Sequence, residues 1–145
     1  RALAARLSRH VKDRASFRPY ALSMQAEGAE GILDLAGSAP ESYRWMQFAS
    51  PVRAEVRERV AAGIHVDGTT RPQVCRAEDN PAYHRLLGAF GAEFGLATLL
   101  NTSFNAAGYP IVSTPAEALA MFARTDMDAL VLNDTVIWKD EGDVR

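Results

Sequence analysis

Between Asn80 and Leu100 the sequence sets out a helix with both ends marked and an apolar strand directly behind it. Asn80 is an N-cap, Pro81 takes the first helical position, and Gly95 stops the run. Tyr83, Leu86, Leu87, Phe90 and Phe94 recur at helical spacing and predict the apolar face. Residues 96–100 are almost wholly apolar and strand-sized. A chain that must bury both packs helices on a sheet. The expected fold is therefore α/β (or α+β), a twisted mixed sheet with flanking helices in a single domain over 1–145. Residues 96–100 are expected as an interior strand, between the helices at 80–94 and 115–124.

The remaining pattern fits that class. Residues 2–11 read as helix, with Leu3, Leu7 and Val11 on one stripe, and Pro19 lies beyond its end. Strands are predicted at 20–24, 43–54, 64–67 and 71–75, the second from Tyr43, Trp45 and Phe48. A short helix at 26–35 is weakened by Gly28 and Gly31. Thr114-Pro115 opens a helix with Leu119, Met121 and Phe122 inside, and 128–132 with 135–139 form a strand pair around Asn133-Asp134.

Composition excludes several function classes. With 48% hydrophobic and 23% charged residues the chain is not a disordered tail. No apolar run approaches the roughly 20 residues that span a bilayer, so no membrane role is expected. Cys75 is the one cysteine, which excludes an intrachain disulfide and a cysteine-based zinc cluster. No secretory pattern opens the chain, and a cytoplasmic protein is expected. A net charge of −2 argues against nucleic acid as a partner. The first 20 residues nevertheless hold six basic side chains against one acid, Asp13.

Three segments hold side chains suited to chemistry. The loop from Asn101 to Pro110 follows an apolar strand and offers Asn101, Thr102, Ser103 and Asn105, donors suited to a phosphate or carbonyl oxygen. Taken alone it also reads as a polar turn satisfying its own backbone. In the second, His65, Asp67, Thr69 and Arg71 lie together; on one strand face His65 and Asp67 would converge, while Asp67-Gly68 alone is an ordinary turn former. The pair is too few ligands for a metal. The third holds Lys12 and Arg18, which meet on one anion only if the chain turns before Pro19; a solvated basic stretch is the plainer reading.

In order along the chain these segments form a series. Lys-x-Arg-x-x-Phe-Arg-Pro runs from Lys12 to Pro19, and His-Val-Asp-Gly-Thr-x-Arg from His65 to Arg71. Asn-Pro-x-Tyr opens at Asn80, Leu-Asn-Thr-Ser-Phe-Asn at Leu100, and Pro-Ile-Val-x-Thr-Pro at Pro110. The series resembles the C-terminal, YrdC-like domain of the nodulation/antibiotic O-carbamoyltransferase family, from about Leu7 to Lys139. Two features depart from it: the family's upstream Gly-Pro-Arg-Ala-Leu-Gly block is missing, so the N-terminal edge is expected to be incomplete, and Ala15 stands where Glu is usual.

The resemblance implies formation of carbamoyl-adenylate from carbamoyl phosphate and ATP, with Mg²⁺ accompanying the nucleotide. The acceptor hydroxyl would belong to an actin/sugar-kinase-like domain or chain. Lys12, Arg18, Arg71 and Ser103 would then be catalytic and line one cleft. His65, Asp67, Thr69, Asn101, Thr102 and Asn105 would line the nucleotide and carbamate site. Lys12 is expected to matter more for turnover than for folding. The alternatives are a non-catalytic nucleotide-binding or scaffolding module on the same fold, and a tRNA-modifying threonylcarbamoyl-adenylate synthase.

Overall fold

Four of the five residues of Ala21–Gln25 (β1) are buried, and this strand is the centre of the main sheet. The structure, a computed structural model, describes residues 2–12 and 19–139. It divides into two compact units: Pro19–Thr102, and residues 2–12 with 103–139.

In the first unit, β1 pairs in parallel with Gln73–Cys75 (β4) and antiparallel with Thr98–Asn101 (β5), so the sheet is mixed, in the order β4-β1-β5. This corrects the expectation for residues 96–100. Among the described residues β5 is an edge strand, and the more deeply buried β1 takes the interior position. Leu22 and Met24 of β1 join Leu33, Tyr43, Val52, Val60 and Val74 in the core. Ser23 and Gln25 point to the opposite face, where the helix Pro81–Phe94 (α2) packs on β1 and β5. The Asn80 side chain accepts from Tyr83 N–H, and Gly95 closes the helix in the left-handed conformation.

The buried face of α2 differs from the expected one. Leu87 is fully buried, whereas Leu86 and Phe94 are exposed. Gly91 explains the close approach, because a Cβ there would lie 2.9 Å from the backbone N of Ala97. The helix buries Leu87 and comes close through Gly91, which leaves Leu86 and Phe94 outside.

Two other predicted elements change character. Residues 43–54 are not one strand: Pro40–Tyr43 forms a 3-10 turn, Met46 is left-handed at φ +57°, and only Ser50–Pro51 (β2) is extended in a ladder. Tyr43 enters the core while Trp45 and Phe48 stay exposed, so aromatic content here marks a loop. Residues 64–67 form a turn, closed by Gly68 at φ +82°, and only Thr69–Thr70 (β3) pairs with β2. The segment 26–35 holds a 3-10 helix at Ala26–Gly31.

The second unit begins with Ala2–Arg6 (α1), which continues as a π-helix through Leu7–Lys12. Pro115–Arg124 (α3) is held at its start by a capping box between Thr114 and Glu117. Ala118 and Phe122 of α3 pack on Leu130 of Ala129–Leu132 (β6), which pairs with Thr135–Trp138 (β7). Leu119, expected inside, is exposed. Within its unit α3 covers this hairpin, while residues 96–100 belong to the first unit. Among the described residues no helix is long and apolar enough to cross a membrane.

Candidate functional site

Lys12 ends the π-helix and is 6% exposed. Its ammonium donates to Ser103 O at 2.6 Å, Asn105 O at 2.6 Å and Asn105 Oδ1 at 2.7 Å, with Ser103 Oγ at 3.4 Å. The Ser103 hydroxyl donates to Asn105 Oδ1 at 2.6 Å, and Asn105 Nδ2 donates to Tyr109 O at 2.8 Å. Lys12, Ser103 and Asn105 are therefore brought together, 91 and 93 residues apart in sequence. The lysine's charge lies against the loop backbone, where it favours an anion at the loop.

Asn101 and Thr102 belong to the sheet unit. Asn101 Nδ2 donates to Gln73 Oε1 at 2.9 Å, and Ser23 Oγ donates to the same oxygen at 2.6 Å. One residue from each strand thus enters a single polar network on the α2 side of the sheet. Met46 Sδ, 3.5 Å from Asn101 Nδ2, is a second acceptor on it. The Thr102 hydroxyl is buried with no partner among the described residues. An orphaned hydroxyl in this loop suits a ligand oxygen.

His65, Asp67 and Thr69 also meet, although in a turn. Thr69 N and Oγ1 donate to Asp67 Oδ1 at 2.9 and 2.7 Å. With that hydroxyl proton committed, His65 Nδ1, 3.2 Å away, is the donor to Thr69 Oγ1. The Thr69 bonds hold the Asp67 carboxyl below its ordinary value. Beside them lies an open cleft of about 600 Å³, bordered by Arg57, Glu58, Ile64, His65 and Asp67. Arg71 follows β3, exposed, with no hydrogen bond or ion pair among the described residues. Arg18 lies outside the described residues.

Sequence reasoning missed Gln73, Ser23 and Met46. Gln73 lies two residues beyond Arg71, but only the pairing of Ser23 with Gln73 and of Ala21 with Asn101 shows what it touches. A further polar cluster is architectural. Asp79 accepts from both Arg44 and Arg76, and these bonds, Arg76's first, hold its carboxyl low against burial. Cys75 beside it is buried, and burial pushes its thiol up, away from nucleophile chemistry.

The chain belongs to the family described as Carbamoyltransferase C-terminus, whose model matches residues 1–139. It is 40% identical over 134 residues to nodulation protein NolNO of Sinorhizobium fredii, covering 92% of this chain and 20% of that protein. Nodulation protein NolO of Bradyrhizobium diazoefficiens is 37% identical over 137 residues, covering 92% of this chain and 24% of that protein. The 3'-hydroxymethylcephem-O-carbamoyltransferase of Amycolatopsis lactamdurans is 31% identical over 134 residues, covering 91% and 24%. The chain thus spans about a fifth to a quarter of the length of these relatives.

Proposed function

We propose that this chain is the carbamoyl-activating part of an ATP-dependent O-carbamoyltransferase. Carbamoyl phosphate gives up inorganic phosphate to water, leaving carbamate. A carbamate oxygen then bonds to the α-phosphorus of ATP, and the bond to pyrophosphate breaks. The products are carbamoyl-adenylate and pyrophosphate, and the carbamoyl group passes to a hydroxyl on a separate acceptor domain or chain.

The observation that carries this reading is the Lys12–Ser103–Asn105 cluster within a chain of the carbamoyltransferase family. Ser103 would meet a phosphate or carbamate oxygen, and Lys12 would supply charge from behind the loop. Arg71 and Arg18 would be the forked phosphate contacts. Such groups favour a phosphoryl transition state where they meet charge that grows as the reaction proceeds. Among the described residues no three His, Cys, Asp or Glu side chains gather. Mg²⁺ would therefore ride on the triphosphate, its usual place in nucleotide sites.

Calorimetry with ATP and Mg²⁺, and a pyrophosphate assay after adding carbamoyl phosphate, test the proposal on one preparation. Binding is expected, with pyrophosphate release by this chain alone slow or absent and dependent on carbamoyl phosphate. A folded sample that binds no ATP would favour a scaffolding module instead.

A further inference from the structure

The polar network on the sheet fixes two side-chain amides in defined orientations. Gln73 Oε1 accepts from Ser23 Oγ at 2.6 Å and from Asn101 Nδ2 at 2.9 Å. Hydrogen bonds between two amides and a hydroxyl can usually be drawn in two senses, because amide O and N are interchangeable in shape. Met46 breaks that symmetry. Its thioether has no hydrogen to give, so the Asn101 atom facing it at 3.5 Å is the NH₂ group. The atom of Gln73 bonded to that NH₂ must then be its carbonyl oxygen, and the serine hydroxyl donates to the same atom.

This polarity decides what is left over. Asn101 keeps the lone pairs of Oδ1, and Gln73 keeps the hydrogens of Nε2, neither with a partner among the described residues. Ser23 beneath them is fully buried, so the network is anchored from the protein side. An acceptor and a donor, each fixed by the same shared hydrogen bond, complement a group that carries N–H beside C=O. A carbamoyl group is such a group, with its NH₂ facing an acceptor and its carbonyl oxygen facing a donor.

We propose that Asn101 and Gln73 are the specificity-determining pair for the carbamoyl group, Asn101 Oδ1 accepting from its NH₂ and Gln73 Nε2 donating to its carbonyl oxygen. Gln73 enters the site by this assignment. The inference rests on the carbamoyl-activating reading and adds to it the element that reads the acyl group. A site built to bond an N–H group rejects an analogue without it, because its own polar atom is then left unpaired.

Acetyl phosphate, which places a methyl where carbamoyl phosphate has NH₂, makes the test. The 145-residue chain should bind carbamoyl phosphate about tenfold or more tightly than acetyl phosphate in calorimetry. Asn101→Ala and Gln73→Met should each reduce that preference to about twofold or less. On the unsubstituted chain, the Gln73 side-chain amide resonance should move with carbamoyl phosphate, so the test does not depend on either variant folding. Equal affinity for the two acyl phosphates, a preference that survives both substitutions, or an unmoved Gln73 resonance would each overturn the pair while leaving the phosphate site. An adenine amino edge offers similar chemistry, so a Gln73 resonance that moves with ATP and not with carbamoyl phosphate would also overturn it. A chain that binds neither acyl phosphate nor inorganic phosphate would remove the wider reading together with the pair.

Discussion

Lys12 and Arg71 are cations to which the family resemblance gives similar tasks, and their surroundings are opposite. Lys12 is 6% exposed, with its ammonium spread over oxygens of Ser103 and Asn105. Arg71 lies in the sheet unit, exposed, with all five guanidinium N–H donors unclaimed among the described residues. The units around them differ in the same sense. Among the described residues the apolar core cluster of the sheet unit holds ten buried residues and that of the smaller unit three, supplemented by polar ties such as the Lys12 cluster and the Thr114–Glu117 capping box. Lys12 is part of what holds the loop in shape, whereas Arg71 is available to a ligand.

The largest effect expected from that contrast is on stability. Lys12→Met keeps the length of the side chain and removes its charge and hydrogens. Ser103 O, Asn105 O and Asn105 Oδ1 would each lose a short, charge-assisted bond in a buried setting. Such a loss costs about 2–3 kcal/mol. Chemical denaturation should show it, and amide exchange should rise at residues 103–109. A loss below about 0.5 kcal/mol, typical of a surface site, would break the contrast. The expectation from sequence, that Lys12 matters more for turnover than for folding, changes here, because its burial and acceptors were not visible in the motif.

What was legible in the sequence is what local signals determine. Asn80, Pro81 and Gly95 set the ends of α2, and Thr114 with Glu117 the start of α3, through bonds made within a few residues. The hairpin around Asn133-Asp134 was equally local. Strand order was not, because the apolar run at 96–100 reads alike on an edge and in an interior. Aromatic residues at 43–48 suggested a strand, yet Met46 at φ +57° turns the chain. In the site, loop composition marked Ser103 and Asn105 as candidates, and His65, Asp67 and Thr69 do meet, by way of a turn. Gln73 and Met46 escaped because their role comes only from long-range contacts with Ser23 and Asn101.

Acid should separate the units next. Glu27, Asp67 and Asp79, all in the sheet unit, have carboxyls held below their ordinary values: Glu27 by its bond to His84, Asp67 by Thr69, Asp79 by Arg76 and then Arg44. A depressed folded value means that the stabilisation is complete above the unfolded carboxylate pKa, about 4. It is then lost as pH falls through the folded value. Asp79→Asn removes the proton-dependent partner of two arginines, so the variant should start less stable at neutral pH and lose less on acidification. Denaturation midpoints between pH 7 and 3 would show a shallower acid limb. An unchanged acid limb would mean that the Arg44–Asp79–Arg76 cluster contributes nothing to acid sensitivity.

The smallest effect on stability is expected at Arg71, and it is the sharpest test of the contrast. Arg71→Ala deletes an exposed side chain without a hydrogen bond or ion pair among the described residues, so stability should stay within about 0.5 kcal/mol. Ligand binding should respond differently. A charge-assisted bond to phosphate contributes about 1.5–3 kcal/mol, so ATP affinity should fall roughly ten- to hundredfold in calorimetry. Arg71→Lys restores a point charge without the planar fork and should recover only part of that loss if the contact is bidentate. The phosphate contact should also weaken as salt rises, and the unsubstituted chain should show the steeper dependence. If Arg71→Ala leaves ATP affinity unchanged while Lys12→Met lowers it in a folded sample, the two cations have exchanged the roles assigned to them. The anion would then be held by the buried lysine, which would have to give up a bond to Ser103 or Asn105 to receive it.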